Sequence, residues 1–153
     1  MASELQLQGL IVDAVKAGGG FAFKSANRFL VGVPDLFVKT LNYPGAFFEV
    51  KQNPEPSSQR AIRLNVTPLQ AKFLRDLDAA GQLAGVIAFL QNPKHRRLGM
   101  MVRDIHHFID NEFIVDSSDY DWAPDRPILI RRLLNNYFSD LPDQLSGGVE
   151  YHD

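Results

Sequence analysis

The chain has 153 residues, 45% of them hydrophobic, with no Cys and 16 Lys plus Arg against 18 Asp plus Glu, a formal net charge of -2. This length buries one core but hardly two, and the apolar fraction excludes a disordered chain. No window approaches the roughly 18 apolar residues that cross a bilayer, and the N-terminus lacks a signal-peptide pattern, so a soluble cytoplasmic protein is expected, with any metal held by oxygen or imidazole.

Leu7, Leu10, Ile11, Ala14 and Val15 repeat at helical spacing behind Ser3, a good N-cap, and the pattern stops at Gly18-Gly19-Gly20. A first helix over Glu4 to Ala17 follows. Phe21 to Ser25, Phe29 to Leu41 and Ala46 to Gln52 are rich in Phe and Val and read as strands. The last two form a hairpin about Asn42-Tyr43-Pro44-Gly45. Asn53 to Ser58 reads as a loop. Thr67-Pro68-Leu69-Gln70 sets an N-cap Thr, a Pro at the first helical position and a Gln at the capping-box position ahead of Phe73, Leu74 and Leu77, with Gly81 as the stop. Leu83 to Leu90 and Arg97 to Val102 are two more strands about an Asn92-Pro93 turn, and Asp125 to Phe138 is a final helix. Its stripe of Ile128, Leu129, Leu133, Leu134, Tyr137 and Phe138 packs within the domain by default. Ser139 to Asp153 reads as a loose acidic tail. The order αβββαββα predicts an α/β domain over residues 1–138, a mixed central sheet flanked by helices.

The small net charge hides a split. Residues 1–103 carry 13 basic and 7 acidic residues, net +6, whereas residues 104–153 carry 3 basic and 11 acidic, net -8. A basic half is the face expected to meet a polyanion, although a solvated acidic tail on an ordinary domain explains the same numbers.

In Ala46-Phe47-Phe48-Glu49-Val50-Lys51, two charged residues interrupt an apolar strand, and strand alternation puts Glu49 and Lys51 on one face. A buried carboxylate needs a partner or a metal. Asp35, in the apolar stretch Gly32-Val33-Pro34-Asp35-Leu36-Phe37, falls opposite or diagonal to Glu49 if the hairpin turns about residues 41 to 44. Two such carboxylates repel unless a divalent cation is shared, and oxygen ligands favour Mg²⁺ or Mn²⁺. The competing reading is an exposed Glu49–Lys51 edge pair with Asp35 in a turn. His106-His107 beside Asp104 makes a poor metal template, because adjacent residues of a strand point apart. The acidic run Asp116 to Asp121 lacks the Gly and Glu of a calcium loop.

These residues resemble a known family. Pro34-Asp35 followed by Glu49-Val50-Lys51 is similar to the signature of the PD-(D/E)XK nuclease superfamily, and the surroundings resemble its VRR-NUC branch, the virus-type replication and repair nucleases. Ser3-Glu4, Gly32-Val33-Pro34-Asp35-Leu36, Glu49-Val50-Lys51, Thr67-Pro68-Leu69-Gln70 and Ala80-Gly81 follow in that branch's order across residues 3 to 90. Residues 95–138 match no part of it. The resemblance implies a restriction-endonuclease-like core, with Asp35 and Glu49 binding catalytic Mg²⁺ and the Val50 carbonyl a candidate third ligand. It also implies that Lys51 orients or deprotonates the attacking water and that Gln70 sits in the active site, although the capping box explains Gln70 as well. Glu4 shares the core-facing stripe of Leu7 and Ile11, which suits a further metal or water ligand. A carboxylate favourably placed near a helix N-terminus is the alternative.

Lys24, Arg28, Arg60, Arg63, Lys72 and Arg75 are candidate DNA-backbone contacts, Lys24 and Arg28 ahead of the rest. The resulting expectation is a metal-dependent DNA endonuclease, structure-specific toward branched DNA such as Holliday junctions and working as a homodimer. A non-catalytic nucleic-acid-binding or assembly protein on the same scaffold and a DNA-end-processing exonuclease are the alternatives.

Overall fold

Two capping boxes set the entry of the helices that border the charged strand. In the computed structural model, which describes residues 2–54, 60–91 and 97–140, Ser3 caps α1 (Glu4–Ala17) and Thr67 caps α2 (Pro68–Ala79). Each hydroxyl accepts the third helical N–H, while the side-chain oxygen of Gln6 or Gln70 accepts the cap residue's own N–H.

The strands are β1 (Phe21–Lys24), β2 (Leu36–Lys39), β3 (Ala46–Pro54), β4 (Ala61–Arg63), β5 (Leu83–Gln91), β6 (Arg97–Val102), β7 (Ile114–Asp116) and β8 (Asp121–Ala123). The remaining helices are α3 (Ile105–Asp110) and α4 (Arg126–Ser139), with a 3₁₀ turn over Ser117–Asp119. Six strands form one mixed sheet in the order β1-β2-β3-β5-β6-β8, and β4 pairs with β7 separately. Its one parallel neighbour pair is β3 and β5, and α2 lies in the crossover that such a pair requires.

Alternation along β3 divides the molecule. Phe48 and Val50 join Leu36, Val38, Ile87 and Phe89 on the face covered by α1 and α4. Val86, Ala88, Met100 and Val102 pack on the other face against α2 and α3. Glu49 and Lys51 point to this second face, and both are buried. The α4 stripe is spent within the domain, since Leu129, Leu133, Leu134, Tyr137 and Phe138 are all buried in the first core.

The α/β class, the first two helices, the hairpin and the final helix stand where the sequence puts them. The expected strand over Phe29 to Leu41 contracts to Leu36–Lys39. Upstream of it, Asn27 and Leu30 close a tight turn, Gly32 takes φ +95°, and Pro34 has no N–H for a ladder. The order αβββαββα also lacks four elements. These are β4, β7 and β8, of three residues each, and the six-residue α3. His106 and His107 therefore lie on a helix, not a strand, with Asp104 as its N-cap. β3 continues to Pro54 into the expected loop, whose residues 55–58 lie outside the described residues, as do the Asn92-Pro93 turn and residues 141–153 of the tail. No described helix is long and apolar enough to cross a membrane.

Phe48 is fully buried, with the rings of Tyr137 and Phe138 at 5.0 and 6.4 Å. Phe48→Ala is expected to cost about 3–5 kcal/mol in urea denaturation. A wild-type midpoint would contradict the packing of α4 on β3.

Candidate active site

The site begins where β2 leaves β3. Their register pairs Leu36 with Phe48 and Val38 with Ala46; continued one step it sets Asp35 against Glu49, and continued two steps Pro34 against Val50. β2 begins only at Leu36, so the N–H groups of Val50 and Gln52 on that edge lose their ladder partners. Two carboxylates replace them. Asp35 Oδ2 accepts the Val50 N–H at 2.8 Å, and Glu4 Oε2, reaching across from α1, accepts the Gln52 N–H at 2.8 Å. In extended chain the carbonyl and N–H of one residue point to the same side, so the Val50 carbonyl also faces Asp35. Pro34, at the opposing register position, has no N–H to offer it. The bend is pinned by Ser25, whose hydroxyl donates to the Pro34 carbonyl and whose N–H donates to the Asp35 carbonyl, both at 2.8 Å.

Glu49 is 2% exposed. Its Oε2 accepts from Gln70 Nε2 at 3.0 Å and lies 3.6 Å from Lys51 Nζ. Its Oε1 is buried without a hydrogen-bond partner among the described residues. Lys51 Nζ donates to Gln70 Oε1 at 3.1 Å, the same oxygen that caps Thr67. Gln70 therefore serves the helix cap and the site together, where the sequence offered these as competing explanations. Burial first, then repulsion from Asp35, pushes the Glu49 carboxyl up to about 8, with Lys51 pulling the other way.

A buried carboxylate oxygen without a donor, a second carboxylate opposite it and a backbone carbonyl facing the same gap make an oxygen-only donor set. Such a set suits a hard divalent cation. Among the described residues no group of three or more His, Asp or Glu side chains gathers as a metal site. Glu4 is engaged with Gln52, two residues along β3, and is not drawn into a trio with Asp35 and Glu49.

The expected DNA contacts divide. Arg60 pairs with Asp116 at 2.9 Å, Arg63 with Glu112 at 3.5 Å, and Lys72 with Asp76 at 2.6 Å. Lys24, Arg28 and Arg75 are exposed and have no carboxylate partner among the described residues. Arg60, Arg63 and Arg103 belong to the basic half, and their partners Asp116, Glu112 and Asp140 to the acidic half. The acidic half thus neutralises part of the basic one. Ser25 and Thr67 are positioning residues that strand and helix patterns did not single out as part of the site. Thr67 carried a signal, since its cap fixes Gln70, whereas Ser25 carried none.

No family model matches the sequence, and no curated protein matches it. Among solved structures, the chain is similar to Archaeoglobus fulgidus Hjc, described as a Holliday junction resolvase from an archaeal hyperthermophile. The TM-score is 0.51 at 19% sequence identity, covering 76% of this chain and 88% of that one. The mixed α/β fold, a six-stranded sheet flanked by helices, is thus shared with Hjc.

Glu49 holds its proton more tightly folded than unfolded. Its contribution to stability is full below the unfolded value of 4.5 and is lost as pH rises through about 8. In EDTA, the stability difference between wild type and Glu49→Gln is expected to change across that window by up to about 1.4 kcal/mol per pH unit. Denaturation midpoints that run parallel for the two proteins would refute the buried, protonated Glu49.

Proposed function

We propose that the chain is a divalent-metal-dependent DNA endonuclease of the PD-(D/E)XK type, hydrolysing phosphodiester bonds in branched DNA as a homodimer. One observation carries the reading: Asp35 and Glu49 oppose each other at the strand divergence, with Lys51 and Gln70 bonded into the same cluster. The described Hjc is a Holliday junction resolvase, and its shared fold supports the nuclease class. The ordered motifs over residues 3 to 90 support the VRR-NUC branch.

Asp35, Glu49 and the Val50 carbonyl would hold Mg²⁺ or Mn²⁺, with Glu4 a further ligand through a water. When bound, the cation supplies Lewis-acid polarisation of the phosphate and neutralises charge on the leaving oxygen. The protein's own groups account for the rest. Lys51 places an ammonium beside the carboxylate pair, where it orients the attacking water and stabilises negative charge that develops on the phosphate. Gln70 fixes that ammonium through its oxygen and Glu49 through its nitrogen, so neither has to reorganise when substrate arrives. Asp35 holds the middle of β3 in place through the Val50 N–H. Lys24, Arg28 and Arg75, free of carboxylates among the described residues, contact the DNA backbone, and Arg60, Arg63 and Lys72 do so only by giving up their intramolecular pairs. Cutting both strands at a branch requires two such sites, which is the ground for the homodimer.

Purified protein incubated in Mg²⁺ with linear, nicked and four-way DNA is expected to incise the branched substrate. Asp35→Ala, Glu49→Ala and Lys51→Ala should each lower the rate by at least about 100-fold. Equal rates for wild type and Asp35→Ala would remove the catalytic assignment, and degradation from plain ends would move it to an exonuclease.

A further inference from the structure

Three consecutive apolar side chains stand in solvent ahead of Asp35. Phe29 is 82% exposed, Leu30 55% and Val31 65%, and Leu69 on α2 is 52% exposed. Single exposed apolar residues are ordinary, but a contiguous group marks a surface that meets something.

The turn that presents them is built into the fold. Asn27 Oδ1 accepts the Phe29 N–H at 2.7 Å, and the Leu30 N–H donates to the Asn27 carbonyl at 3.2 Å. At its far end Gly32 lies against α2, where an added Cβ would sit 2.8 Å from the Leu69 carbonyl oxygen. Its φ of +95° is also one that glycine tolerates best. The turn is thereby seated on the helix end that carries Gln70, and the chain runs from it directly into Asp35.

The chemistry of the rim is specific. Arg28 lies over one face of the Phe29 ring, 4.9 Å from its centroid, and the exposure of Phe29 leaves the other face to solvent. Arg28 and Lys24 have no carboxylate partner among the described residues. A ring with one open face and an unpaired guanidinium on the other fits a nucleobase with its flanking phosphate, because bases of any sequence stack on aromatic side chains. Apolar side chains beside such a ring are the kind that wedge into base steps.

Resting on the nuclease reading above, we infer that the Phe29–Val31 rim takes up a base unstacked at an interruption of the duplex. Phe29 is then a specificity-determining residue that favours branched or nicked DNA over continuous duplex. Within continuous duplex every base already stacks on its neighbours, so the rim has no free base to receive.

Binding of a nicked duplex and of its uninterrupted counterpart, measured by anisotropy in Ca²⁺ on wild type, Phe29→Ala and Phe29→Trp, tests the inference. A 2-aminopurine at the nick reports stacking. The nicked-to-intact affinity ratio is expected to fall about tenfold in Phe29→Ala, with loss of the fluorescence change, and to be kept in Phe29→Trp. An unchanged ratio in Phe29→Ala overturns the inference and leaves the nuclease reading standing. A halved mass of Phe29→Ala in light scattering also overturns it, by giving the rim to a second copy of the chain. A wild type that neither binds nor cuts any of these DNAs overturns the nuclease reading itself.

Discussion

A carboxyl group in the middle of an apolar sheet is the constraint around which the rest of the molecule is arranged. Glu49 is buried on the face of β3 that points to α2, one position past the last β2–β3 register pair, where Asp35 acts on it electrostatically. Burying that charge costs several kcal/mol unless it is paired, protonated or bound to a cation. The protein supplies partial compensation through Gln70 and Lys51 and leaves one oxygen unpartnered. Such a group is poorly suited to stabilise the fold and well suited to receive a cation. Unsatisfied buried polar atoms are uncommon in folded proteins, and sites of chemistry are where they gather.

The architecture around Glu49 follows from one break in the sheet. Had β2 continued past Leu36, its backbone would have saturated the edge of β3 with ordinary ladder bonds. Gly32 and Pro34 end the strand, and the vacated N–H groups recruit Asp35 and Glu4. The same departure frees the chain between β1 and β2 to form the exposed turn at Phe29. On the other side of β3, the Thr67 cap fixes Gln70 at the first turn of α2, and Gln70 in turn reaches both Glu49 and Lys51. A helix cap and a contact with the Glu49–Lys51 pair made by one amide tie the stability of α2 to the geometry of the site.

The parts legible in the sequence were those with strong local signals. Ser3 and Thr67 caps, the helical periodicity of α1 and α4, and the Asn42 to Gly45 turn each rest on residues close in sequence. The hairpin register then follows by counting from the turn, which is how Asp35 could be matched to Glu49. The strand assigned to Phe29–Leu41 failed for an instructive reason. Phe29, Leu30 and Val31 have strand-forming side chains, but Asn27, Gly32 and Pro34 dictate the backbone, and a run of β-branched and aromatic residues does not reveal that it is left in solvent. β4, β7 and β8 are too short for any periodicity, and they are held by pairings between segments more than 20 residues apart. The charge split was visible, but not its internal pairing: Arg60, Arg63 and Arg103 meet acids of the other half only in three dimensions.

If Asp35 and Glu49 together form the proposed cation site, its occupation expels the Glu49 proton. Calorimetric titration of Mn²⁺ at about pH 6.5, in two buffers of different ionisation enthalpy, measures binding and proton release on the same sample. Wild type is expected to bind Mn²⁺ with close to one proton released per cation, and Glu49→Gln to release none. Absence of Mn²⁺ binding, or binding without proton release, would contradict the proposed site.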